Sequence, residues 1–61
     1  MNEYDVKRLA LVLAVQAEIE GMKAENNLRE QLHEAPAYGA SQFNECANRL
    51  TNLAYAHNDQ L

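Results

Sequence analysis

This 61-residue chain is short of most things that hold a small domain together. It has one cysteine, so no disulfide can close within it. No CxxC or HExxH pattern is present, which removes the usual zinc arrangements. Positive charge is scarce: five Lys and Arg stand against nine Asp and Glu, a net −4. That balance disfavours long nucleic acid, or an anionic membrane, as a partner held by a general basic surface. The apolar run LALVLAV (9–15) is seven residues long, and a bilayer span takes about 20. The N-terminal stretch MNEYDVKR carries acids and no small-residue cleavage site follows it cleanly, unlike a signal peptide. A soluble cytoplasmic protein is expected. The single thiol suits a reducing compartment.

One proline and two glycines leave long uninterrupted stretches. Asn2 is placed to cap a helix whose first turn holds Glu3 and Asp5. From there to Leu32 good helix formers dominate, and Gly21 is the one weak point. The sequence therefore predicts a helix over about 3–33. The stretch HEAPAYGAS, with Pro36 and Gly39, predicts a loop over 34–41, and Ser41 a cap for a second helix over about 42–58. The expected fold is all-α: one domain, 1–61, forming an antiparallel two-helix hairpin.

Two apolar seams run along the first helix. Ala10, Ala14, Ala17, Gly21, Ala24 and Leu28 recur at heptad spacing and are small. Leu11, Val15, Ile19 and Met22 lie on roughly the opposite side, bordered by Tyr4, Arg8, Asn26 and Arg29. On the second helix, Phe43, Ala47, Leu50, Ala54, His57 and Leu61 follow the same spacing, flanked by Cys46 and Leu53. Pairing the alanine seam with the second helix, with Gln42 near Leu32 and Asn58 near Gln16, leaves LALVLAV bare. The seam Leu11, Val15, Ile19, Met22 then needs another chain. A chain this short is marginal alone, so a homo-oligomeric helical bundle is expected, a dimeric four-helix bundle being its simplest form.

Candidate binding residues follow from those seams. Arg8 and Arg29 border the second one, and across an antiparallel pair of chains they approach each other; guanidinium groups suit phosphate. The alternative is an ordinary ion pair of Arg8 with Glu18 or Glu25. With Asn26, Tyr4 and Tyr38 the two arginines form a candidate anion site. Tyr38, in the loop, either stacks on a ligand or folds over the end of the core as a cap, which is favoured. Asn44, Asn48, Thr51 and Tyr55 make an amide-rich outer face on the second helix, a candidate surface for a protein partner or simply solvated. Cys46, His33 and His57 lack metal-site spacing, and His57 is eleven residues, about three helical turns, from Cys46, so packing accounts for Cys46 and His57. No catalytic constellation, metal or cofactor is expected.

In outline the hairpin resembles the plasmid copy-number proteins that form antiparallel dimeric four-helix bundles and bind RNA hairpins. The segments QAEIEGMKAEN, AYGASQF and LAYAHN resemble short helical-hairpin proteins of bacteriophages and their bacterial hosts. Some phage hairpins of similar build are oligomeric sponges for the nucleotide signals of bacterial immunity. That resemblance implies a non-catalytic homo-oligomer holding a small anionic nucleotide between chains. The alternatives are a protein-interaction module, inhibitor or small regulator acting through the second helix, and then an RNA-binding four-helix bundle.

Overall fold

A computed structural model describes all residues, 1–61. Two helices, α1 (Glu3–Gln31) and α2 (Ala40–Tyr55), pack against each other, and one 3₁₀ turn, Asn58–Gln60, follows. The molecule measures 47 × 19 × 11 Å, drawn out along α1.

Local chemistry sets the helix ends. Asn2 caps α1, its side-chain oxygen accepting from the Asp5 amide at 2.9 Å. Helix α1 stops at Gln31, ahead of Pro36, because His33 takes a left-handed conformation (φ 58°). The His33 amide donates to the Glu30 carbonyl (3.1 Å) and the Glu34 amide to the Arg29 carbonyl (2.8 Å). This is a Schellman closure, with histidine where glycine is usual. Helix α2 begins two residues earlier than expected. Gly39, not Ser41, is its N-cap residue, and the Gly39 amide donates to Gln42 Oε1 at 2.9 Å. It also ends earlier, at Tyr55: Ala56 and His57 are extended, and the His57 amide donates to Gln60 Oε1 to close the 3₁₀ turn.

The loop does not simply carry the chain across the end of α1; it folds back along it. The Asn26 side chain accepts from the Tyr38 amide (3.0 Å) and donates to the Tyr38 carbonyl (2.9 Å). By the time α2 starts, the chain has already returned past the last turn of α1. Cys46 therefore meets Met22, Arg49 meets Glu18, and Asn58 reaches Arg8. The expected pairing of Gln42 with Leu32 and Asn58 with Gln16 is corrected by this shift. The extended Ala56–His57 step adds further reach, because extended residues rise about 3.3 Å each against 1.5 Å in a helix.

The seams are also exchanged relative to expectation. Val15 and Met22 join Cys46 as the buried core, with Ile19, Tyr38, Phe43, Leu50 and Leu53 packed around them. So Val15, Ile19 and Met22, expected to face another chain, face α2 instead, and half-buried Leu11 lies beside Leu53. The alanines at 10, 14, 17 and 24, expected to meet α2, are exposed. Area explains the exchange: bulky side chains set against bulky ones remove more apolar surface from water than alanines can. Cys46 is buried as expected, whereas His57 is exposed, because the chain has left the helix by that point.

At about 1.5–3 kcal/mol per buried large apolar side chain, a core this small leaves the single hairpin marginal. Gly21 adds to that: a Cβ built on it meets nothing within 4 Å in the chain, yet glycine inside a helix costs about 1 kcal/mol relative to alanine.

Two substitutions test this account. His33→Gly should raise stability by about 1 kcal/mol by relieving the left-handed conformation, seen as a higher thermal midpoint; His33→Ala should give no such gain. Asn26→Ala removes two hydrogen bonds and should destabilise by about 2 kcal/mol; an unchanged melting curve would show that the loop is held by something else.

Candidate interaction surfaces

The sequence-predicted anion site is split between the two ends of the molecule. Tyr4 and Arg8 lie at the start of α1, while Asn26 and Arg29 lie near its end with Tyr38 in the loop beside Asn26. The 21-residue step from Arg8 to Arg29 corresponds to about 32 Å of helix, so one chain cannot bring the two guanidinium groups to one ligand. Each is also occupied. Arg8 donates to the carbonyls of Leu53 (3.0 Å) and Ala56 (2.6 Å) and lies 3.4 Å from Asn58 Oδ1. It thereby satisfies carbonyls freed where α2 ends and ties the C-terminal turn to α1. Arg29 pairs with Glu25 (3.0 Å) and Glu34 (3.9 Å). The ion pair expected of Arg8 with Glu18 or Glu25 does not form: those carboxylates pair with Arg49 and Arg29, and Arg8 lies 4.0 Å from Asp5 instead. Asn26 spends its amide on the Tyr38 backbone. Tyr38 is half-buried against the core, acting as a cap over the loop end. Tyr4 is exposed.

Negative charge neutralises most of the cations. Four of the five, Arg8, Lys23, Arg29 and Arg49, lie within ion-pair distance of a carboxylate, leaving Lys7. The Glu18–Arg49 pair joins the two helices and has both oxygens facing the guanidinium. The hydrogen bond from Arg49, and then its charge, hold the Glu18 carboxyl below the usual range, slightly opposed by desolvation. The same hydrogen bond holds Arg49 more firmly protonated.

Beside this pair lies an open groove of about 510 Å³ between α1 and the end of α2. Leu11, Ala14, Val15, Leu53, Ala56 and Leu61 form its apolar walls, and Glu18, Arg49, Asn52 and Gln60 its polar rim. Sequence reading missed it, because it exists only once the C-terminal turn folds back over Leu11; helical spacing puts Leu61 on the α2 seam, whereas it reaches the groove from the turn after α2 has ended. Its walls offer no nucleophile–base pair, and Cys46 lies elsewhere, buried with its sulfur 3.8 Å from Met22 Sδ. No three His, Cys, Asp or Glu side chains come together as a metal-ion site.

The outer face of α2 is laid out as the sequence predicts. Asn44, Asn48, Thr51 and Tyr55 are all exposed, and Tyr55 keeps 83 % of its surface. Thr51 is the exception in availability, since its hydroxyl donates back to the Ala47 carbonyl at 3.0 Å. No helix is long and apolar enough to cross a membrane. Compared with known protein families, with curated proteins and with solved structures, the chain matches none.

The Glu18–Arg49 pair gives a pH test. Because the folded carboxyl titrates below its unfolded value, the pair's contribution is present at neutral pH and is lost as pH falls through the lowered folded value. Carboxyl chemical shifts followed by NMR should show Glu18 titrating below the ordinary value of a glutamate side chain, and Arg49→Gln should return it toward that value. An unshifted Glu18 in the native chain would mean that the pair does not form in solution.

Proposed function

We propose that this chain is a non-catalytic interaction module that works as a homo-oligomer and presents the outer face of α2 to a protein partner. One observation carries the reading: only three residues of 61 are buried, while Val6, Leu9, Leu13 and Leu28 on α1 stay largely exposed. An apolar helix face of that kind marks an interaction surface. The amide-rich face of α2 then remains for a partner, with Tyr55 as a protruding amphipathic anchor and Asn44 and Asn48 as hydrogen-bonding groups beside it.

Capture of a small anionic, nucleotide-like molecule between chains is the second reading. It draws on Arg29, whose side chain is still 39 % exposed. Its weakness is electrostatic: an anion arriving at Arg29 meets Glu25 and Glu34 first. RNA binding has still less to draw on, because a net charge of −4 and paired cations leave no basic patch.

Native mass spectrometry of protein purified gently from cells tests the proposal. The expected result is a multiple of the chain mass without a small-molecule adduct, together with loss of any co-purifying protein on Asn48→Ala/Tyr55→Ala. A nucleotide-sized adduct that disappears in Arg8→Ala/Arg29→Ala would move the assignment to sequestration. A folded monomer at all concentrations would overturn the homo-oligomer.

A further inference from the structure

We infer that a second copy of this chain docks antiparallel on the outer face of α1, about a two-fold axis at residue 19; the inference rests on the homo-oligomer reading above and specifies its contact. Three observations converge on it. The first is surface area. A monomeric protein of 6.9 kDa exposes about 4,000 Å², and this chain exposes 4702 Å². The surplus goes with the drawn-out shape and small core, and it leaves apolar side chains of this face bare: Val6, Leu28 and Leu32 each keep half or more of their surface.

The second is the order of residues along the bare face. Spacings of 4, 3, 4, 3 and 4 from Ala10 to Leu28 read the same in both directions. Turned end for end about residue 19, the seam superposes on itself: Ala17 falls opposite the partner's Gly21, Ala14 opposite the partner's Ala24, and Ala10 opposite the partner's Leu28. Val6 likewise falls opposite the partner's Leu32, and both are exposed, at 54 % and 58 %. Small side chains therefore sit at the centre, where helix axes come closest, and large apolar ones at both ends. A two-fold interface has to be self-complementary in this way. A parallel pairing sets Leu28 against Leu28 and Ala10 against Ala10, losing the match of Leu28 with Ala10.

The third is Gly21 itself. Nothing in its own chain occupies the space that a Cβ would take, and its backbone is ordinary helix. A glycine that weakens a helix without any use inside the chain is explained by a backbone that approaches from outside. Flanking charge does not oppose the contact, because Glu18 and Glu25, on the border of the face, are already neutralised by Arg49 and Arg29. Helix α2 packs on another side of α1, so the proposed contact leaves its outer face free.

Cysteine cross-linking in the full chain tests both the face and the direction. Under mild oxidation, Ala10→Cys/Leu28→Cys is expected to give a covalent dimer in which peptide mapping joins position 10 of one chain to position 28 of the other. Those positions are about 27 Å apart along one helix, so no bridge can form within a chain. Ala10→Cys alone should stay unbridged; an efficient bridge from position 10 to itself would overturn the antiparallel arrangement. Sedimentation equilibrium supplies the second measurement. Gly21→Leu, a better helix former than glycine, should keep or raise helix content and weaken association at least tenfold, while Gln16→Leu, exposed on another side of α1, should not. Association of Gly21→Leu as tight as that of the native chain would overturn the inference and leave the homo-oligomer reading standing. A native chain that never associates would overturn both.

Discussion

Asn26 sets one side-chain amide against both backbone groups of Tyr38, and most of the hairpin's geometry follows from that pair of hydrogen bonds. A side-chain amide can both donate and accept in one plane, so it completes a strand-like pairing without a second strand. Because the pairing occurs inside the last turns of α1, the loop has to double back before α2 starts. That displacement brings Cys46 to Met22 and Arg49 to Glu18. It also carries the C-terminal turn as far as Arg8, where the guanidinium takes up carbonyls that the end of α2 leaves free. The loop clamp and the arginine clamp lie at opposite ends of one small core, and between them they leave little freedom in how α2 lies along α1.

The same register decides what is left bare. With its bulky stripe spent on α2, α1 turns its alanines and several leucines outward. Burial of three side chains is thin support for 61 residues, since fixing each residue of backbone costs about 1–2 kcal/mol of conformational entropy. In the proposed oligomer, self-association and stability would be coupled. Covering the outer face would both form the assembly and supply burial that the hairpin lacks, the usual route for chains too short to build a full core. The charge pattern belongs to the same economy. Carboxylates close to four of the five cations remove any basic patch, and this directs a reading of function toward protein surfaces and away from phosphate.

Much of the fold was legible in the sequence, and the reasons are local. Asn2 with the acids after it marks the start of α1; unbroken helix formers mark its length; Pro36 and Gly39 mark a loop; and the helical spacing of Phe43 and Leu50, flanked by Cys46 and Leu53, marks α2 as amphipathic, although Ala47 and Ala54, which the same spacing puts on the seam, stay exposed. Each of these signals lies within a few residues of the feature it controls. The exposure of Asn44, Asn48, Thr51 and Tyr55 was legible for the same reason, since helical spacing alone separates them from the apolar stripe.

What only the tertiary structure decided is which stripe meets which, and in what register. Two apolar stripes on α1 satisfy the same periodicity, and nothing in spacing ranks one above the other; the choice falls to the area that bulky Val15, Ile19 and Met22 bury against bulky partners. The roles of Asn26 and Arg8 were equally hidden. Both stand among the residues that sequence reading offers as ligand groups, and both turn out to bind backbone brought to them from 12 and more than 40 residues away. Hydrogen-bond partners at such separations depend on how the chain closes, so the sequence determined two helices and their faces, and closure of the hairpin determined which of those faces meet and which stay exposed.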